Sequence, residues 1–156
     1  MKRYLFFLSI LLLPALCGAQ REQDFASTYM RLNAEGTGLD CRTVSPVMMS
    51  KMMRIEEIGS NSEAVRTLQN LKSVRVVTDA DSDDTDALYD KAVSLLDANK
   101  NRYRLYDEYE GKSLYVRKRG KVIVELILLT KNEGRLHIVN FTGTMTEAFV
   151  KTLTQM

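Results

Sequence analysis

The sequence predicts an α+β fold in which helices pack on one antiparallel sheet of four to five strands. The first part of the chain carries apolar residues at helical spacing, whereas apolar and polar residues alternate from Tyr103 onward. Short turn-forming segments separate the alternating stretches, so consecutive strands are expected to be antiparallel neighbours. Strands that are grouped along the chain favour an α+β domain over an alternating α/β fold.

Residues 1–19 are predicted to be a secretory signal peptide. Lys2 and Arg3 precede an apolar stretch over residues 4–13, which Pro14 ends. This stretch is too short to span a membrane as a helix. The small residues that follow predict cleavage before Gln20 by ordinary signal peptidase.

Lipid attachment at Cys17 is the alternative to soluble export. A lipoprotein peptidase needs a small residue just before the modified cysteine, and Leu16 occupies that position. Soluble export to the periplasm or cell envelope is therefore favoured over an outer-membrane lipoprotein. Contact with a membrane is expected only if Cys17 is lipidated.

Residues 20–156 are predicted to form a single domain. Removal of the signal peptide takes Lys2 and Arg3 away, so the 22 basic residues fall to 20 and equal the 20 acidic ones. A neutral chain gives no support for nucleic-acid binding. Cys41 is the one cysteine left, which excludes an internal disulfide, and we interpret it as a small buried hydrophobic residue rather than a nucleophile.

Helices are predicted from apolar periodicity and from capping residues. They cover residues 22–33, a methionine-rich segment after Ser45-Pro46, residues 60–71, residues 85–99, and a C-terminal segment capped by Thr144 and Glu147. Strands are predicted at 74–77, 103–109, 113–119, 121–130 and 135–142, with the first of them at an edge of the sheet. Turns are expected at 110–111, 119–120 and 131–134.

An acidic segment between residues 79 and 86 raises the possibility of calcium binding. Asp79, Asp81 and Asp83 alternate as in the first half of an EF-hand loop. The sixth position holds Asp84 instead of glycine, the twelfth holds Asp90 instead of glutamate, and a strand precedes the loop. We therefore expect a turn that caps the next helix and no metal site, although weak calcium binding remains open.

Three further features could carry chemistry and are interpreted structurally: a methionine cluster, His137, and the basic hairpin tip at residues 117–121, which is expected to be solvated rather than a phosphate site. Met48, Met49, Met52 and Met53 could bind copper(I), but their spacing also fits a helix that packs in a core or against a partner. No nucleophile motif accompanies His137 in the sequence, so this residue is not interpreted as a catalytic base. No cofactor site, metal site or catalytic residue is predicted, and we expect the protein not to be an enzyme.

Glu125 is the candidate site residue, because it interrupts the most apolar strand of the chain. Pairing through the predicted turns places it opposite Leu114 on one side and Asn140 on the other, so that these residues and Ile123 share one face. A buried carboxylate needs hydrogen-bond partners or a raised pKa. Glu125 is interpreted either as an acid satisfied by Asn140 or by a basic residue from a packed helix, or as the acid of a pocket.

The C-terminal half carries a resemblance to a known family. The segment Glu125-Leu126-Ile127-Leu128-Leu129 and the final strand ending in Phe141-Thr142-Gly143 resemble motifs of the domain-of-unknown-function family 4252 (DUF4252). The resemblance implies an envelope protein of Bacteroides-group bacteria, often a lipoprotein, with a small G-x-small turn before the last helix. It supplies no reaction and no site residues.

We expect a non-enzymatic exported protein that binds another protein, either a second envelope protein or a copy of itself. Strand 122–129 is apolar on both sides, with Ile123, Ile127 and Leu129 on one face and Val124, Leu126 and Leu128 on the other. One face needs the helices, and the other needs more helices, a partner or a second copy. The alternative is a carrier or sensor of a small ligand with a pocket near Glu125.

Overall fold

A computed structural model describes residues 22–45, 47–48, 51, 67, 69–80 and 84–154. Three helices and six strands lie entirely within these ranges. In chain order they are α1 (Phe25–Asn33), β1 (Leu39–Val44), β2 (Leu71–Asp79), α2 (Thr85–Ala98), β3 (Arg104–Tyr109), β4 (Lys112–Arg119), β5 (Val122–Asn132), β6 (Arg135–Met145) and α3 (Glu147–Thr154).

Several predictions of the sequence fall outside the described residues. They are the signal peptide with Cys17, the aspartates at 81 and 83, and most of the two helices expected between 45 and 71. Val47, Met48 and Lys51 of the first of these helices are helical, as are Thr67 and Gln69 of the second. No helix in the described ranges is long and apolar enough to cross a membrane.

The α+β prediction is confirmed, but the sheet is larger than expected. Six antiparallel strands lie in the order β1-β2-β6-β5-β4-β3. The sequence analysis missed β1, whose six residues follow two glycines and of which none is fully buried, so that its alternation is weak. The prediction that the early strand lies at an edge is wrong, because β2 lies between β1 and β6.

Two apolar clusters lie on opposite sides of the sheet. On the α1/α2 face, Phe25 and Tyr29 of α1 and Leu88 and Leu96 of α2 cover strand residues such as Ile127 and Ile138. On the α3 face, Phe149 and Val150 pack on residues that include Leu114, Val116, Ile123, Leu126 and Phe141. Since β5 contributes to both clusters, its continuous apolar sequence follows from burial on both sides.

Tight turns set the strand register. Gly120 (φ +60°) and Lys121 connect β4 to β5, and Glu133 (φ 51°) and Gly134 (φ +73°) connect β5 to β6. The centre of each loop lies one residue beyond the centre of the predicted turn. This displacement moves the strand pairing that follows from the turn by two positions. Glu125 therefore lies opposite Thr142 instead of Asn140. A shift of two keeps the face, since side chains alternate with a period of two.

Because of a β-bulge, two residues lie on the face of the sheet opposite to the predicted one. On the β4 side Glu125 lies opposite Arg117, and the next pair is Lys118 with Ile123, so Val124 is an extra residue. The bulge reverses the alternation, and Ile123 packs in the α3-face cluster together with Leu114. The prediction that these two residues share a face with Glu125 is wrong.

The end of β6 also differs from the sequence prediction. Thr144 was expected to cap the last helix, but β6 continues to Met145 and the side chain of Thr146 accepts a 3.2 Å hydrogen bond from Phe149 N. Gly143 was expected in a turn and lies inside the strand at φ +146°. A Cβ there would lie 2.5 Å from the Asn70 carbonyl oxygen and 2.6 Å from Leu71 Cα, so only glycine lets β2 approach this closely.

Candidate functional site

Glu125 is completely buried and is bonded through both oxygens of its carboxylate. Oε1 accepts a 2.6 Å hydrogen bond from the backbone N–H of Phe25 and a 3.2 Å bond from Asn140 Nδ2. Oε2 accepts a 2.8 Å bond from Arg117 Nε. The strand thus carries a buried charge whose partners come from a helix terminus, a neighbouring amide and a cation, as a buried charge requires.

Asn140 complements the same helix end. Its Oδ1 accepts a 3.0 Å hydrogen bond from Ala26 N, while its Nδ2 donates to Glu125 and to the carbonyl of Leu126. Asn140 lies opposite Ile127, two positions from Glu125 on the same face of the sheet. The structure therefore brings together the two residues that were predicted as a polar pair, at a diagonal of the ladder.

The pair completes the capping of α1. Asp24, the N-cap, accepts a 2.8 Å bond from Ser27 N, so the N–H groups of Phe25, Ala26 and Ser27 all have carbonyl or carboxylate acceptors. The first N–H groups of a helix have no partner within the helix, and the positive end of its dipole favours negative charge. Glu125 and Asn140 are sheet residues that supply hydrogen-bond acceptors for this helix end, which α1 itself does not provide.

Three arginines and the carboxylate of Glu22 form an ion network between the buried Glu125 and the protein surface. Glu22 Oε2 accepts 2.6 Å hydrogen bonds from Arg117 and from Arg119, and Arg102 lies 3.4 Å from Glu22 and 3.9 Å from Glu125. The hydrogen bond from Arg119 lowers the pKa of Glu22 against the opposing effect of partial burial, and Arg117 lowers it further. Burial acts to lower the pKa of Arg117, but Glu125 and Glu22 outweigh it and the pKa is raised.

The sequence analysis expected the cation beside Glu125 to come from a helix. It comes from the adjacent strand, because the shifted register and the bulge place Arg117 directly opposite Glu125. Glu22 and Arg102 were not singled out at all. Gly120 was part of the available signal, since a glycine as the first residue of a two-residue hairpin loop, rather than the second, gives the correct partner for Lys118. The pairing of Arg117 with Glu125 also needs the bulge at Val124, for which the sequence carries no signal.

Asp79, the first aspartate of the acidic segment, has a structural position. It is buried at the end of β2, where Oδ1 accepts a 2.9 Å bond from Leu136 N and Oδ2 accepts a bond from the Thr85 hydroxyl. Asp84 is the N-cap residue of α2 but makes no side-chain cap bond. In the described ranges no group of three or more His, Cys, Asp or Glu side chains could hold a metal ion.

The other candidates lie apart from Glu125. Cys41 is half-buried in β1 beside Val77, and burial raises the pKa of its thiol, which opposes nucleophilic reactivity. His137 is half-buried opposite Thr130. Met48 is 58% exposed, and the other three methionines of its cluster lie outside the described residues.

A groove lies beside the ion network, where the start of β3 lies next to the end of β4 and Gly120. It has a volume of about 390 Å³, and apolar and basic side chains line it, including Arg102, Arg104, Tyr106, Val116 and Lys118. Glu125 is not among the lining residues. Arg102 is the side chain that links the groove to the carboxylate.

Comparisons with known proteins identify the family of the chain and leave its activity undetermined. No curated protein matches the sequence. The family described as "Domain of unknown function (DUF4252)" matches residues 41–153, a range that includes both Glu125 and Asn140. The chain therefore belongs to the DUF4252 family.

Proposed function

We propose that this protein is a non-enzymatic exported domain of the cell envelope that acts by binding another protein. The observation that carries the proposal is the strand β3 at one end of the sheet, which pairs with β4 alone among the described strands. Its side chains Leu105 and Tyr109 are 53% and 64% exposed. Exposed apolar side chains on a free strand edge are typical of surfaces that receive a partner.

The position of Glu125 supports a binding role over a catalytic one. A general acid or base must be able to reach a substrate. The carboxylate of Glu125 is fully buried and is engaged by Phe25, Asn140 and Arg117. Its chemistry is used to attach α1 to the sheet, and we infer that it is a structural group.

Site-specific crosslinking in living cells tests the proposal. A photoreactive phenylalanine analogue at Tyr109 should give a discrete protein adduct of fixed mass, because this side chain lies on the proposed contact surface. The same analogue at Leu32, which is 56% exposed on α1, is the matched control and should give none. Equal adducts from both positions, or none from Tyr109, would contradict the proposal.

A second candidate function is that of a carrier or sensor for a small ligand. The groove at Arg102 and Arg104 supports it, since basic side chains above an apolar floor suit a small organic anion. Melting temperatures with and without citrate or inorganic phosphate test this candidate. A rise that disappears in Arg104→Ala would favour it, and unchanged melting temperatures would count against it.

A further inference from the structure

Strand β3 carries two opposite charges that are available to a partner. The side chain of Arg104 is exposed and makes no hydrogen bond or ion pair within the described part of the chain. Asp107 is exposed as well, and its carboxylate accepts one bond, from the backbone N–H of the adjacent Glu108 at 2.9 Å. A cation and an acid on one edge strand can meet their opposites on a second copy of that strand.

The two charges lie on the same face of the sheet. Arg104 lies opposite Val116, and Asp107 lies opposite Leu114, which both belong to the α3-face cluster. Three positions would ordinarily place two residues on opposite faces. A bulge between Leu105 and Asp107 restores them to one face, and it turns Tyr106 toward the α3-face cluster.

Antiparallel pairing of β3 with a second β3 is self-complementary. A two-fold axis normal to the sheet keeps the two faces aligned except at the central bulge residues 105 and 106, and an antiparallel register in which Arg104 lies opposite Asp107 of the second copy makes this ion pair twice. The exposed charges of an edge strand usually discourage such pairing. In this register they attract each other, because each cation meets an acid.

The groove and an exposed aromatic ring complete the match. The same register places Tyr109 of the second copy opposite Arg102, at the groove that Arg104, Val116 and Lys118 also line. Tyr109 lies opposite Lys112 and thus on the α3 face, the side on which the groove opens beside Val116. On this face the tyrosine ring would lie next to the guanidinium group of Arg104, which is a favourable contact, whereas the guanidinium group of Arg102 lies against Glu22 and Glu125 on the α1/α2 face.

We propose that two copies of this chain pair β3 to β3 in antiparallel orientation, with Arg104 of each opposite Asp107 of the other. The two six-stranded sheets would then form one continuous sheet. This inference rests on the proposed function and names its partner as a second copy of the chain.

Charge reversal followed by charge exchange tests the proposal. Sedimentation equilibrium of the purified protein should show a dimer. Arg104→Asp and Asp107→Arg should each weaken dimerisation at least about tenfold, because two attractive pairs become repulsive. The double variant Arg104→Asp/Asp107→Arg should restore the dimer, since it exchanges the charges and keeps their sum.

Two controls define the surface. Arg42→Asp reverses another exposed arginine, on β1 at the opposite edge of the sheet, and should leave the dimer intact. Tyr109→Ala should weaken dimerisation while Tyr109→Phe retains it. Because these side chains are exposed, every variant should keep the wild-type circular dichroism spectrum, whereas the melting temperature should fall only in the variants that weaken the dimer.

The outcomes separate this inference from the proposed function. A wild-type monomer, single reversals without effect, or a double variant that fails to recover would overturn the β3 dimer. If the wild type is monomeric and crosslinking at Tyr109 captures a different envelope protein, the binding function stands and the self-pairing falls. A monomer without any adduct overturns both.

Discussion

The carboxylate of Glu125 accepts a 2.6 Å hydrogen bond from the backbone N–H of Phe25, one hundred positions earlier in the chain. This bond joins the first residue of α1 to the middle of the sheet. It explains why a charged residue interrupts the apolar strand β5: the helix end offers N–H donors that have no partner within the helix. The acid therefore fixes the position of α1 over the α1/α2 face.

Substitution of Glu125 should reduce stability more when more of its buried hydrogen-bond donors lose their acceptor. Glu125→Gln should cost about 2 kcal/mol in the free energy of unfolding, because the amide keeps one acceptor but cannot pair with Arg117. Glu125→Leu should cost about 4 kcal/mol, since Arg117, whose side chain is 12% exposed, loses its buried counterion. Urea unfolding followed by circular dichroism measures both values.

Glu35→Gln on an exposed surface is the control and should change the free energy of unfolding by less than about 0.5 kcal/mol. Stability near or above that of the wild type in both Glu125 variants would contradict the structural role. It would instead fit a pocket acid, because functional groups are often maintained at a cost in stability.

Asn140→Asp should make stability strongly dependent on pH. Asn140 Nδ2 lies 3.2 Å from Glu125 Oε1, so the new carboxylate would face an existing one at that distance. Two adjacent buried carboxylates cannot both ionise at low cost, so one of them should have a raised pKa. A raised pKa contributes stability at low pH that is lost as the pH rises, and the deficit relative to the wild type should therefore shrink as the pH falls.

Urea unfolding of Asn140→Asp and wild type at matched pH values from about 8 to about 4 measures this deficit. Asn140→Ala is the control, because it removes the amide without adding a titrating group. A deficit of Asn140→Asp that is constant across this range would contradict the proximity of the two side chains.

The strands β3 to β6 and the helices α1 and α2 were the parts of the fold that the sequence could predict. Alternation from Tyr103 onward and glycines such as Gly111 and Gly134 are local signals, so β3 to β6 were found with bounds close to those observed. The unusual position of Glu125 was also a local signal, since a charged residue within an apolar strand can be recognised from the sequence alone. Its place on the same face as Asn140 was predicted correctly, because a turn that is displaced by one residue shifts the register by two.

The remainder depends on contacts between distant segments. The pairing of Glu125 with Phe25 needs the helix to cross the sheet at one point, and no periodicity encodes that crossing. The bulge at Val124 has no signal in the sequence pattern, and it alone moved Ile123 to the other face. Strand β1 has little burial of its own and acquires its conformation from pairing with β2.

Gly143→Ala should be strongly destabilising. Its Cβ would lie 2.5 Å from the Asn70 carbonyl oxygen, and the backbone has φ +146°. The clash and the strained backbone together should cost about 3 kcal/mol or more. Gly120→Ala is the matched control, because Gly120 has φ +60° with nothing within 4 Å of the added atom, and it should cost about 1 kcal/mol. Equal losses in chemical denaturation would disprove the close approach of β2 and β6.

Glu22→Gln should change the response to acid. The pKa of Glu22 is lowered in the folded protein, first by Arg119 and also by Arg117 and Arg102. A lowered pKa contributes stability that is present above the ordinary carboxyl pKa and is lost as the pH falls through the folded value. The variant should therefore lose stability relative to the wild type at pH 7 and approach it in acid. Thermal unfolding from pH 7 to about pH 3 would show the two curves converging, and parallel curves would contradict the ion network.

We predict that the mature chain starts at Gln20, close to Glu22 of the ion network. Cleavage before Gln20 would leave two residues ahead of Glu22, whose carboxylate is bonded to Arg117 and Arg119. The ion network would then be retained in the soluble exported protein. Intact mass spectrometry of the protein recovered from the cell envelope should give the mass of residues 20–156, with or without cyclisation of Gln20. Ala19→Glu, which places a large charged residue at the predicted cleavage position, should leave the precursor unprocessed. A diacylated Cys17 would contradict soluble export, and it would place the hairpin that carries Arg117 and Arg119 within a few residues of the membrane anchor.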